Sequence, residues 1–409
     1  MKAWPYEIIE YGKQWGFLDK NDVVILGIEQ SLPETLPVVS ENISRLLQLL
    51  CTIPERFYQG SLMMMAQDIG SDGQLLDYLQ HVKGRLSDKV FVRADLFISE
   101  HGWQLLEMNV GSAIGGMHMT SLPRLAGYKL QYDPLEGWAR HTMQLLEDPY
   151  GKMLFIVPDE EIEQLRKPLS VMLRELNLWG QKHVSLAAPR ELSIKQEQLW
   201  WKNEPVKYLY FRDEQDALNF FTQLPDAMEL LDTGCVCVPM GPEYCVISSK
   251  GALALLWEKH RLQELEDAES RLVESLVPET LWLTAATLAK MQQERAHWVL
   301  KPTEGSGGSG ILCGCEYEDD AWLCALKEAL AQGDKKFVLQ RYVNSLPAKI
   351  FLTDMSGQSE LQIGRVVWGP YIFNCEYIGT GIRAQSIDKS AVINYQQGAA
   401  GGLIGMQHA

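Results

Sequence analysis

The sequence predicts an α/β (α+β) protein built from more than one packing unit, on three observations. Its 409 residues exceed the roughly 250–300 that one core accommodates. The first 85 residues carry helical spacing, after which the apolar pattern changes to period two. From about 120 to 245, short strands alternate with helices, which suggests a small α/β layer.

The elements follow in chain order. Ile43, Leu46, Leu47 and Leu50 mark an early helix. Residues 91–98 and 103–110 alternate as two strands joined at Glu100, His101 and Gly102. Residues 153–157 read as a buried strand, and Ile162, Leu165, Leu169, Leu173 and Leu176 form one helical stripe. Residues 206–211, 235–239 and 244–248 are expected as strands, followed by a helix from about 251 to 263. Strands at 298–301 and 311–317 frame a glycine-rich loop, and a helix from near Asp319 to Gly333 leads into a strand at 337–343. The last expected pair, 361–368 and 371–378, is joined at Gly369 and Pro370, a hairpin signal.

Composition narrows the function. With 37 basic and 53 acidic residues the net charge is −16 and the pI about 5.0. That balance argues against nucleic acid, which needs a concentrated positive surface, and against anionic lipid. No apolar run approaches the roughly 20 residues of a membrane span, and the N-terminus lacks the apolar core of a signal peptide. Eight cysteines with no Cys-x-x-Cys pair favour a reduced, cytoplasmic setting over a disulfide scaffold. The pairs Cys235/Cys237 and Cys313/Cys315 read as small buried apolar residues in preference to a zinc site.

The chemistry concentrates in two places. In the first hairpin, Arg93 and Asp95 share one strand face, and Glu107 and Asn109 share a face of the other. A three-residue turn with Gly102 in the left-handed position sets Asp95 opposite Glu107 and Arg93 opposite Asn109. Facing carboxylates need a cation, and hard oxygen donors suit Mg²⁺ better than Zn²⁺. Arg93 is a planar fork for a carboxylate or phosphate. The bland alternative is a sheet face carrying ordinary surface charge.

The second place is 301–310, where Lys301 enters a loop holding Gly305, Ser306, Gly307, Gly308 and Gly310. Glycines let backbone amides approach phosphate oxygens. The spacing fits the dinucleotide fingerprint, but a strand follows where that motif needs a helix, and no P-loop or kinase signature is present. A glycine flap between two strands is the better reading. Lys250 opens a helix, and Arg383 falls in what reads as a flexible loop.

Together these residues resemble the circularly permuted ATP-grasp ligases, specifically glutathionylspermidine synthetase and, more distantly, eukaryotic glutathione synthetase. Arg93-x-Asp95 with Glu107-x-Asn109 resembles that family's metal and substrate hairpin. Residues 248–257 are similar to its first nucleotide lysine, Lys250, and the helix after it. Lys301 resembles the second lysine, 339–347 the adenine hinge, and Arg383 the late arginine beside the transferring phosphate. The metal carboxylates precede the lid by more than a hundred residues, the order of the permuted branch. The motifs cover about 90–115 and 245–400.

The resemblance implies an ATP-grasp fold in four stretches. Residues 1–115 would be a helical part plus the metal hairpin, and 116–244 an inserted small α/β substrate domain. Residues 245–345 would be the lid, and 346–409 a return to the core. It implies an ATP-dependent carboxylate–amine ligase forming an amide bond through an acyl-phosphate, with ADP and phosphate released. Its cofactors would be ATP and Mg²⁺, its partners small-molecule carboxylates and amines, and the family leans toward homodimers. Asp95, Glu107, Asn109 and Glu304 would hold metal. Lys250, Lys301, Gly305, Ser306, Gly307, Gly308, Gln340, Tyr342 and Val343 would hold the nucleotide. Arg93, Ser112 and Arg383 would contact the substrate, the two arginines catalytically. Transfer to a carrier-protein thiol and nucleotide binding without ligase activity are the alternatives. The amidase half that accompanies many glutathionylspermidine synthetases is not expected.

Overall fold

The computed structural model describes all residues except 1–6, 19–21, 29–34, 72, 83–84, 113, 115, 149, 181–182, 306, 334–335, 395–397, 404–405 and 408–409. Three sheets of four or more strands organise it. The largest has seven strands, in the order Ala348–Asp354, Val23–Ile28, Ala400–Leu403, Glu376–Ser386, Ser359–Phe373, Phe91–Ser99, Gly102–Val110. Ala348–Asp354 also pairs with the first half of Ser359–Phe373, so five strands close into a ring and the other two extend from it. The Leu36–Phe57 and Pro134–Gln144 helices pack on this sheet, burying Ile43, Leu46, Leu50 and Trp138 in the main core.

The second sheet is parallel at Val184–Ala187, Lys152–Ile156 and Glu204–Phe211 and ends in an antiparallel hairpin. The third is antiparallel, in the order Thr280–Trp282, Phe337–Arg341, Trp298–Pro302, Leu312–Cys313. It has its own core, in which the Asp319–Leu330 helix sets Trp322 and Leu326 against Trp298, Leu300 and Leu339. Among the described residues no helix is long and apolar enough to cross a membrane. All eight cysteines are free thiols, and among the described residues none forms part of a metal cluster.

Several expected elements differ. Among the described residues the opening stretch holds four helices and one strand, Val23–Ile28, whose six residues run apolar without alternation because the strand lies inside the large sheet. Residues 244–248 form a helical turn, since Pro242 starts a 3₁₀ turn and Ser249 caps the next helix. The apolar run there is too short to separate helix from strand by pattern. At 235–239 only one bridge forms, Tyr208 to Cys237. Between 311 and 317 the strand is confined to Leu312–Cys313 before a 3₁₀ turn at Gly314–Glu316.

The late hairpin turns elsewhere. Ser359–Phe373 runs straight through Gly369 and Pro370, and the chain reverses at Asn374 and Cys375, with φ of 51° and 61°. Pro370 is tolerated because pairing with Phe91–Ser99 lapses at those two positions, where the amide is missing. Arg383 therefore lies within a strand, between Val367 and Gly401, and not in a loop.

Candidate functional site

A cleft of about 680 Å³, its mouth included, opens between the four-stranded sheet and the large one. One end is apolar. Phe97, Val367 and Ile393 are buried together, with Leu106 and Val343 packed on them. The other end is charged, lined by Asp95, Glu107, Lys301 and Arg383. A cavity with an apolar slot and a concentrated ionic pole suits an amphipathic anion.

The first hairpin has the expected register, Asp95 opposite Glu107 and Arg93 opposite Asn109. The route to it differs. Ser99 pairs with Gly102 across a two-residue turn, and the extra residue is a bulge at Leu106, where pairing jumps from Leu96–Leu105 to Asp95–Glu107. The Leu106 carbonyl accepts a hydrogen bond from Lys301 Nζ at 3.2 Å.

Lys301 stands on a central strand of the four-stranded sheet and is 6% exposed. Its ammonium also donates to Gln340 Oε1 at 2.6 Å. Burial pushes its pKa down to about 8, although Glu107 and Asp95 pull the other way, and the nearby Lys250 adds repulsion. Lys250 begins the Lys250–Arg261 helix, which Ser249 caps through the Gly251 amide. A cation at a helix N-terminus is disfavoured by the dipole. Here Nζ is compensated by the Gly305 carbonyl at 3.1 Å and Glu107 Oε2 at 3.6 Å.

The flap is held at its base and glycine-shaped above it. The Thr303 amide and hydroxyl both donate to the Lys336 carbonyl, while the Thr303 carbonyl accepts from the Lys250 amide and Ser249 Oγ. Gly305, Gly307, Gly308 and Gly310 have φ of 111°, 69°, 72° and 71°. Ser306 lies outside the described residues. At φ 111° Gly305 occupies a region that side chains rarely enter, and nothing crowds its α-carbon within 4 Å. Gly305→Ala therefore costs backbone strain without a clash, about 1–3 kcal/mol, carried by the flap alone. The expected outcome is a melting temperature lowered by a few degrees, which a thermal melt checks.

At the acidic pole, Arg93 reaches Asp95 with Nε at 3.0 Å and Nη2 at 3.4 Å, and Arg383 Nη2 donates to Asp95 Oδ2. Burial works against the Asp95 carboxylate, but Arg383 and Arg93 outweigh it and hold its pKa below the ordinary carboxylate range. Glu107 faces Asp95 across the ladder. Asn109 Nδ2 donates to the Arg93 carbonyl at 3.3 Å, and the buried Tyr371 hydroxyl bonds Arg93 while its ring stacks on Phe91. Among the described residues no three His, Cys, Asp or Glu side chains are gathered for a metal, so Glu304 does not join Asp95 and Glu107. Two facing carboxylates with an adjacent amide fit Mg²⁺, which is commonly held by one or two carboxylates and completed by phosphates.

Of the expected site residues, Asp95, Glu107, Lys301, Gly308, Gln340, Tyr342, Val343 and Arg383 line the cleft. Arg93 and Lys250 touch that set from behind it. Asn109, Ser112, Glu304, Gly305 and Gly307 are not on its wall. Phe97, Val299, Cys313, Val367 and the stretch 391–394 do line it and carry no motif. Strand alternation from Asp95 to Phe97 and from Lys301 to Val299 was the available signal for two of them.

A scan against protein-family models finds no match, and no curated protein matches the sequence. Solved structures do. A glutathione synthetase-like effector from Globodera pallida, in its apo form, has a TM-score of 0.60 at 12% identity, covering 98% of this chain and 96% of that one. A protein assigned as a γ-glutamylcysteine synthetase from Methylobacillus flagellatus has a TM-score of 0.46 at 12% identity, over 92% and 89%. An ATP-grasp ligase complexed with a minimal precursor, Mg and ADP has a TM-score of 0.32 at 11% identity, over 63% and 88%. The first shows a shared fold; the other two, below 0.5, add nothing to it.

Proposed function

We propose that this chain is an ATP-dependent carboxylate–amine ligase of the permuted ATP-grasp type. The reading rests on one observation. Lys250 and Lys301, from different elements, both act on Glu107 at the charged end of a cleft whose other end is apolar.

The apolar slot takes the base, beside Gln340, Tyr342 and Val343. Lys250 and Lys301 neutralise phosphate oxygens, and the glycine flap covers them. Asp95, Glu107 and Asn109 would hold Mg²⁺, which supplies charge neutralisation between the phosphates. Arg93 and Arg383, preset by Asp95, orient the substrate carboxylate. That carboxylate attacks the γ-phosphorus, the bond to the β-phosphate oxygen breaks, and ADP leaves. The amine then adds to the acyl carbon, phosphate departs, and the amine loses a proton. Water must be excluded, because an acyl-phosphate hydrolyses readily. No side-chain nucleophile is required.

The test is product analysis with Mg-ATP and pools of amino acids, polyamines and small peptides. ADP and phosphate released only with a particular pool support the reading. AMP and pyrophosphate overturn it in favour of adenylation. ATP bound without turnover by any pool leaves a nucleotide-binding protein.

A further inference from the structure

We propose that Glu316 and Arg365 are positioning residues for the base end of the cleft. They brace residues 387–394 so that Ile393 closes the apolar slot. This rests on the nucleotide reading above.

Residues 387–394 follow the Glu376–Ser386 strand and contain neither helix nor strand. An irregular backbone must satisfy its polar groups outside any ladder. Here two charged side chains do much of it. Arg365, on the Ser359–Phe373 strand, donates from Nη1 to the Ile387 carbonyl at 3.2 Å and the Lys389 carbonyl at 3.4 Å. Glu316 accepts from the Ala391 amide at 2.6 Å and from Ser390 Oγ at 3.2 Å, one on each carboxylate oxygen. The two come from opposite sides of the cleft. Arg365 belongs to the large sheet, and Glu316 ends the 3₁₀ turn that follows the Leu312–Cys313 strand of the four-stranded sheet. The Glu316 contact therefore links the two sides.

The braced stretch is a wall of the site. Ala391, Val392, Ile393 and Asn394 line the cleft, and Ile393 is buried against Phe97 and Val367. Glu316 and Arg365 do not line it. Both lie close enough to the hinge Tyr342 and to Cys313 to influence their ionisation, which places the brace at the apolar end. Neither phosphate lysine bonds Glu316, Arg365 or residues 387–394: Lys301 reaches the Leu106 carbonyl and Gln340, and Lys250 the Gly305 carbonyl.

That separation gives a readout that general loosening would not produce. Titration calorimetry would compare Mg-ADP, which has a base, with magnesium tripolyphosphate, which has none. Wild type should bind both. Glu316→Ala should weaken Mg-ADP by about tenfold, the loss expected for a charge-assisted hydrogen-bond pair near the surface, and leave tripolyphosphate within twofold. Glu316→Gln keeps an acceptor for the Ala391 amide and should recover most of the ADP affinity. Ser390→Ala, an exposed position, should lose about two- to threefold for ADP alone, and decides the question if Glu316→Ala does not fold. Equal losses for both ligands, or none for either in a folded variant, overturn the brace. If wild type binds neither ligand, the nucleotide reading itself fails and the brace goes with it.

Discussion

Replacing Asp95 with alanine should abolish ATP-dependent phosphate release and lower stability by roughly 3–5 kcal/mol. The size follows from what the carboxylate does. Its side chain is 3% exposed, and it is shared by Arg93 and Arg383, whose side chains are 13% and 19% exposed. Removing it leaves two largely desolvated guanidiniums without the anion that both contact. The same loss should not follow at Glu107, which is 28% exposed and stands 3.6 Å from Lys250. Glu107→Gln should stop turnover while moving the unfolding midpoint little.

The pH dependence has a definite sign. Against the cost of burial, Arg383 and Arg93 hold the Asp95 pKa below its ordinary value of 3.8. Its contribution is present above that unfolded value and is lost as pH falls through the folded one. Urea unfolding at pH 7 and pH 5 should therefore show the full gap between wild type and Asp95→Ala at both. Unchanged turnover in Asp95→Ala would remove both the metal role and the arginine-positioning role. An unchanged midpoint would mean that the arginines find other partners.

Legibility in the sequence followed the range of the interaction. Arg93, Asp95, Glu107 and Asn109 were readable because alternation is local, and they share a face wherever the strands pair. The expected register was right although the turn was not: the Leu106 bulge supplied the offset assigned to Gly102. The bulged Leu106 carbonyl meets Lys301 from almost two hundred residues away, and no local pattern encodes that meeting. Gly369 and Pro370 misled for the converse reason. They signal a turn anywhere except where the adjacent strand stops pairing, as Phe91–Ser99 does here. Arg383 read as a loop residue because glycines flank it; within the sheet, Gly381 gives room to the Tyr371 ring. The stretch 391–394 carries no motif, and its contact with Glu316, which accepts from the Ala391 amide, spans 75 residues of sequence that no local pattern encodes.

Lys301→Met should weaken nucleotide binding by roughly 10–100-fold, the worth of a desolvated charge-assisted contact, and should also remove a pH dependence. Burial, opposed by Glu107 and Asp95, brings the ammonium from 10.5 to about 8 in the folded protein. Above pH 8 the lysine is increasingly neutral, so phosphate binding should weaken as pH rises and should draw in a proton when it occurs. Stability moves the other way. Between about 8 and 10.5 the unfolded chain holds the proton that the folded one has lost, so stability rises with pH across that window, by at most roughly 3 kcal/mol. One residue thus ties weaker binding to a more stable apoprotein. Calorimetry at pH 7 and 9, in buffers of different ionisation enthalpy, measures the linked proton directly. Guanidinium unfolding over the same range measures the stability change. Lys301→Met should show neither dependence. Its cost in the unliganded protein falls on Gln340 and the Leu106 carbonyl, which lose their shared donor. Wild-type affinity that stays flat from pH 7 to 9.5, with Lys301→Met binding as tightly, would show that the buried lysine serves the hairpin bulge alone and not the phosphates.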